Sequence, residues 1–206
     1  THGKTSTTAL LSHIFHFNNL NVSYLYGGIT TFNGIGGHYG DADQPLILET
    51  DEAFNTFEKI NITDLLVLNI DSDHLDYFKN LDNYKDAFYK VMKNVMKNLV
   101  INNDDLNIKQ MKDLKKSISY GKHMSSDFKV KSPGIFTYED NEYEIKSEII
   151  GDHFKSNMLG AIILALLNGI GIEESLNAIE SFPGVKRRIE LIGISKGVSI
   201  YDDYGH

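Results

Sequence analysis

Cysteine is absent from the 206 residues, so neither disulfides nor thiolate metal ligands contribute, and the absence fits a reducing cytoplasm. Net positive charge is lacking too: the formal balance is −8, which argues against a nucleic-acid partner held on a basic surface. A local cationic cleft for phosphates stays compatible with that balance, because net charge does not describe one cleft. Long hydrophobic runs are missing as well. The most extended, MLGAIILALLNGIGI at 158–172, is too short and too interrupted by glycine and asparagine for a membrane span. No internal repeat or low-complexity tract is evident. What is present is 41% apolar and 23% charged, enough for a sizeable core in one large domain, or one with a small appendage.

Hydrophobic spacing organises the chain. In TSTTALLSHIFHF, Leu10, Leu11, Ile14, Phe15 and Phe17 share one face of a helix. NVSYLYGG reads as a short strand, and the glycine-rich stretch GGITTFNGIGGHYG at 27–40 as a binding loop. PLILET (45–50) and DLLVLNID (64–71) are near-continuous apolar runs ending in polar residues, the signature of buried parallel strands with ligand groups at their carboxyl ends. An amphipathic helix is predicted over 80–99, then a strand at LVIN, a helix near 104–115 and the strand SISYG. Residues 127–150 alternate around the turn EDNE and predict an antiparallel hairpin or small sheet. Helices follow over 153–169 and 173–181, then strands at RRIELIG and GVSIYDD. The fold class is therefore α/β: a mainly parallel P-loop-type sheet flanked by helices, with a small antiparallel subsheet.

Five groups carry chemistry. Gly3-Lys4-Thr5 before a helix is the core of a phosphate loop: the glycine admits the backbone to a phosphate, the lysine neutralises oxygens, and the threonine hydroxyl joins a Mg²⁺ shell. Glu49 and Asp51, with Asp71, Asp73 and His74, follow two successive strands and supply hard oxygen donors of the kind Mg²⁺ prefers. His153 and Asn157 stand one turn apart at a helix start, where they reach a base or ribose or simply cap the loop. Lys186, Arg187 and Arg188 form a basic triplet, either a solvated face or the source of one arginine for a terminal phosphate. YDDYGH (201–206) is a polar cluster ending a strand.

Taken in order, THGKTSTT, ETDE, NIDSDHLDYF, GDHxxxN, GVKRRIE and DDYGH resemble the central ATP-binding domain of the Mur ligases, from residue 1 to 206. The resemblance implies ATP and Mg²⁺ as cofactors. It places His2, Gly3, Lys4, Thr5, Ser6, His153, Asn157, Arg188 and Asp203 at ATP, and Thr5, Glu49 and His74 at the metal. Lys4, His74 and Arg188 take catalytic roles, while Gly27, Gly28, Tyr204 and His206 lie toward the other substrates. NIDSDHLDYF, GVKRR and DDYGH are most similar to the branch that joins L-alanine to UDP-N-acetylmuramate through an acyl phosphate. The branch that attaches a recycled tripeptide to the same sugar nucleotide is nearly as similar, and a non-catalytic nucleotide-binding fragment is a third reading. Many relatives carry asparagine after the histidine of the adenine motif, where this chain has Phe154. The family's amino-terminal UDP-binding and carboxy-terminal domains have no counterpart in the sequence, so the expectation is one domain of a larger enzyme, inactive in ligation alone.

Overall fold

The computed structural model describes residues 1–30, 34–72, 75–111, 114 and 117–204. In chain order the elements are α1 (Lys4–Phe17), β1 (Ser23–Leu25), β2 (Gly37–His38), β3 (Leu46–Leu48), a 3-10 helix (Ala53–Lys59), β4 (Asp64–Val67), α2 (Leu75–Phe78) and α3 (Leu81–Lys93). Then come β5 (Asn98–Asn102), α4 (Leu106–Lys109), β6 (Ser117–Gly121), β7 (Phe128–Ser132), β8 (Ile135–Tyr138) and β9 (Asn141–Glu144). The helices α5 (Asp152–Leu167) and α6 (Ile172–Glu180) precede a final hairpin of β10 (Glu190–Ser195) and β11 (Val198–Asp202).

The main sheet has the order β4-β5-β6-β7-β8-β9. Its strands run parallel from β4 to β7 and antiparallel from β7 to β9. The expected antiparallel unit is thus an extension of the parallel sheet. A second sheet, β2-β1-β3, pairs β1 with β3 in parallel and β1 with β2 antiparallel, and β10 and β11 pair only with each other. The sequence pattern predicts one mainly parallel sheet; the described strands fall into three.

Both faces of the main sheet are covered, and β5 shows how. Val100 belongs to a core cluster built on α1, α5 and α6, while its neighbours Leu99 and Ile101 belong to a cluster built on α3 and the 3-10 helix. Two-residue alternation sends successive side chains to opposite faces, so a run without polar residues needs helices on both. α5 is buried continuously from Asn157 to Ala165, the pattern of a helix at the centre of a core. It lies tight on the sheet at Gly160, where a Cβ would stand 2.9 Å from Leu66 Cδ1 and 3.0 Å from Tyr120 Oη.

Helix ends follow local chemistry. Asn80 caps α3 by accepting from the Asn83 N–H at 2.9 Å, and Asp105 caps α4 by accepting from Asn107 and Ile108 at 2.9 Å each. The helix expected over 80–99 stops at Lys93, with the Asn94 N–H closing onto the Val91 carbonyl. Of the helix expected over 104–115, only Leu106–Lys109 is helical among the described residues.

Candidate functional site

The amino-terminal end of α1 faces the carboxyl ends of β3 and β4. Gly3 takes a left-handed conformation (φ 82°) before the helix, and its carbonyl accepts from both the Thr7 N–H at 3.0 Å and the Thr7 hydroxyl at 2.8 Å. A Cβ at Gly3 would run into the side chain of Asn157, so glycine is required there for conformation and for space. By helix geometry the N–H groups of Lys4, Thr5 and Ser6 have no acceptor within α1, and the first turn holds no acidic residue and no side-chain cap. That is an anion-binding terminus: aligned amides, the positive end of the helix dipole and a lysine.

The strand ends clamp this loop. Asn69, just beyond β4, accepts from the His2 N–H at 2.7 Å and donates to the His2 carbonyl at 2.9 Å. The Thr1 nitrogen donates to the Asn69 carbonyl at 3.1 Å, and the Asp71 N–H donates to the Thr1 hydroxyl at 3.0 Å. The His2 imidazole reaches Asp71 only at 3.5 Å with both side chains solvated, a pair of little energetic weight. On the β3 side, the Thr5 hydroxyl donates to Glu49 Oε1 at 2.8 Å, and Glu49 Oε2 accepts from the Gly27 N–H at 2.7 Å. Gly28 packs beside the same threonine, where a Cβ would stand 2.7 Å from Thr5 Cγ2.

Lys4 is held by a residue that sequence reasoning did not single out. Its ammonium donates to Glu52 Oε2 at 2.7 Å, whereas Asp51 lies at 4.0 Å and is largely solvated. Glu52 is 2% exposed, and its other oxygen accepts from the hydroxyl of the fully buried Tyr84 at 3.1 Å. Burial alone would raise the Glu52 pKa. The Lys4 hydrogen bond and charge oppose that effect, and the carboxyl is held below the usual glutamate value. The only sequence signal for Glu52 is its place in ETDE, one of three acids in four residues; depth of burial separates it from Asp51.

The remaining predicted residues divide. Asn157 is buried and borders Gly3. His153, one turn earlier, is exposed and lines a separate cavity of about 170 Å³ with Asp104, Lys122 and Ile135. Helical spacing predicts a shared face; the structure brings only Asn157 to the phosphate loop. Arg188, Asp203 and Tyr204 form a second group. The Arg187 and Arg188 guanidiniums lie 5.0 and 5.6 Å from the centre of the Tyr204 ring, and Asp203 accepts from the Ile189 N–H at 2.9 Å. This group is tied to the first through the Lys186 N–H, which donates to the Ile29 carbonyl at 2.9 Å, directly after Gly28. Ser6 sits in the first turn of α1. Asp73, His74 and His206 lie outside the described residues.

Among the described residues, no three His, Asp or Glu side chains converge as a metal-holding group. Thr5 and Glu49 nevertheless supply two hard oxygen donors in mutual contact. Mg²⁺ that arrives with phosphates takes one or two protein ligands and fills the rest of its shell with phosphate oxygens and water, so the pair fits that ion. No described helix is long and apolar enough to cross a membrane.

Comparison with known proteins agrees with this geometry. The sequence profile of the Mur ligase middle domain matches residues 1–165. The UDP-N-acetylmuramate–L-alanine ligases of Hydrogenobaculum sp. (strain Y04AAS1) and Dictyoglomus turgidum are 36% and 33% identical across the whole chain. The chain spans about half their length, 48% and 47%. The solved UDP-N-acetylmuramate–alanine ligase of Thermotoga maritima shares the fold at a TM-score of 0.82 and 24% identity, over all of this chain and 49% of that one. A murein peptide ligase of Psychrobacter arcticus aligns with a TM-score of 0.74 at 22% identity, over all of this chain and 50% of that one. A phosphate loop clamped between two strand ends, a matching domain profile and relatives alike from end to end lead to one statement: the chain belongs to the Mur ligase family.

Proposed function

We propose that this chain is the central ATP-binding domain of a cytoplasmic ligase that joins L-alanine to UDP-N-acetylmuramate, and that ligation needs the rest of the enzyme's length. The observation that carries the reading is the Thr5–Glu49 pair beside the open amino-terminal end of α1, with Lys4 one residue away. The sugar-nucleotide carboxylate attacks the γ-phosphorus of ATP, the β–γ bridging bond breaks, and ADP leaves. The L-alanine amine then attacks the acyl phosphate carbonyl, phosphate departs, and the amine loses a proton as the amide forms.

Two anions must approach each other in the first step, and the residues of this chain answer that demand. The free amides of α1 bind phosphate oxygens, and Lys4 neutralises charge as it moves onto the γ-phosphate. An ammonium has three N–H donors; Glu52 engages one, leaving two for phosphate. Glu52 thus positions Lys4 before the nucleotide arrives. Thr5 and Glu49, with His74 on the strength of the family resemblance, would hold Mg²⁺, which when bound would offset phosphate charge. Asn157 and Asp203 face the nucleoside, Arg188 adds positive charge at the γ-phosphate, and Gly27, Gly28, Tyr204 and His206 border the remaining substrates.

The test is ADP release by the full-length polypeptide with ATP, Mg²⁺, UDP-N-acetylmuramate and L-alanine. Lys4→Ala is expected to slow it by roughly 10²–10³-fold, as loss of one preorganised charge donor does. Absence of ADP with L-alanine refutes the reading, and turnover with the tripeptide in its place reassigns the chain to the recycling branch.

A further inference from the structure

The core cluster built on α3 and the 3-10 helix carries one hydroxyl among its described buried side chains, that of Tyr84. Tyr84 is fully buried, its ring edge-on to Phe78 at 5.0 Å and tilted against Phe88 at 5.0 Å. A phenylalanine would fill that space equally well, and a hydroxyl taken out of water costs free energy unless it is hydrogen-bonded. The bonds this hydroxyl makes lead out of the core, to the phosphate loop.

Donor counting sets the direction of those bonds. The Glu52 carboxylate can only accept, so the Tyr84 O–H donates to its Oε1 at 3.1 Å. That uses the single phenolic proton. In the 3.0 Å contact between Tyr84 and Thr1 the threonine hydroxyl therefore donates, in preference to the Asp71 carbonyl at 3.3 Å. Thr1 Oγ1 in turn accepts from the Asp71 N–H at 3.0 Å. The chain runs one way, from the Asp71 amide through Thr1 and Tyr84 to Glu52, whose other oxygen receives the Lys4 ammonium at 2.7 Å.

The two oxygens of Glu52 define what this arrangement achieves. A buried carboxylate with both oxygens open draws one ammonium across the pair and engages two of its three N–H donors. Those donors are what phosphate oxygens need. Here Tyr84 occupies Oε1, so Lys4 meets Oε2 alone. A phenol donating to a carboxylate makes a charge-assisted bond, about twice as strong as a neutral one, and so competes effectively for that oxygen. We propose that Tyr84 is a positioning residue for the triphosphate: its hydroxyl holds the Glu52 carboxylate so that Lys4 is aimed at the phosphate loop by one bond rather than captured by two. The proposal rests on the reading of the amino-terminal end of α1 as an ATP site, and gives a side chain in the core a part in that site. Tyr84 acts only through Glu52 and Lys4.

The test is calorimetric titration of the full-length polypeptide with ATP and Mg²⁺, as wild type, Tyr84→Phe, Glu52→Gln and the double variant. Tyr84→Phe keeps the ring and is expected to raise the ATP dissociation constant about tenfold, the scale of one hydrogen bond to a charged group. Loss of folded protein would instead lower the binding stoichiometry and leave the affinity of the remainder unchanged. In the Glu52→Gln background the same change is expected to alter affinity by less than about twofold, because the charge through which Tyr84 acts is gone. Unchanged affinity in Tyr84→Phe, or an equal loss in both backgrounds, overturns the proposal. ATP binding by the wild type without ADP release in the presence of UDP-N-acetylmuramate and L-alanine refutes the ligase reading alone, whereas no ATP binding refutes both.

Discussion

Glu52→Gln isolates the charge that holds Lys4. The carboxylate is 2% exposed and engages Lys4 at 2.7 Å and Tyr84 at 3.1 Å; the amide keeps the shape and one acceptor but removes the charge. Breaking a fully buried ion pair by removing one partner costs about 3–5 kcal/mol, because the survivor is left charged and unpaired. The Lys4 side chain is 27% exposed and has Asp51 at 4.0 Å, so it recovers part of that by turning toward solvent and Asp51. The expected loss is therefore about 2 kcal/mol at pH 7, or about 4–8 °C in Tm for a chain of this size. The pH dependence has a definite sign. The native Glu52 pKa is lowered, so as pH falls the unfolded chain takes up the proton first and wild-type stability drops until pH passes below the native value. The gap between wild type and variant should close over that acidic window. Urea denaturation from pH 7 down to pH 3 measures it. No difference at pH 7, or a gap that persists at pH 3, would refute the assignment of a stabilising charge to Glu52.

Two further substitutions probe the frame of the site. Gly3→Ala meets both a left-handed backbone and the Asn157 side chain, and should cost about 1–2 kcal/mol from conformation alone, with more from the clash. Adding Asn157→Ala should return the clash component but not the conformational one, so a double variant no more stable than Gly3→Ala in denaturant counts against the contact. Ile162→Ala removes a fully buried side chain at the centre of α5 and should destabilise by about 2–5 kcal/mol in chemical denaturation; a cost below that range would mean that α5 is not central to the core.

Much of this molecule is legible in its sequence, because the governing interactions are local. Helical spacing in TSTTALLSHIFHF exposes α1, the apolar runs mark β3 and β4, and the placement of Glu49 just beyond β3 follows from where a strand must stop and a polar loop begin. Gly-Lys-Thr identifies an anion-binding helix start by residue type alone. Capping also reads from sequence once strands and helices are in place, as Asn80 and Asp105 show.

Tertiary structure decided what local pattern leaves undetermined. Periodicity assigns a face but not a depth, so ETDE offers Lys4 several carboxylates and only packing buries Glu52 against Tyr84 while leaving Asp51 in water. His153 and Asn157 share a spacing, yet in the packed structure one lines an outer cavity and the other borders Gly3. Strand runs reveal which segments are extended but not which edges pair, since pairing joins residues distant in sequence. That is why the division between β3 and β4 emerges only in three dimensions.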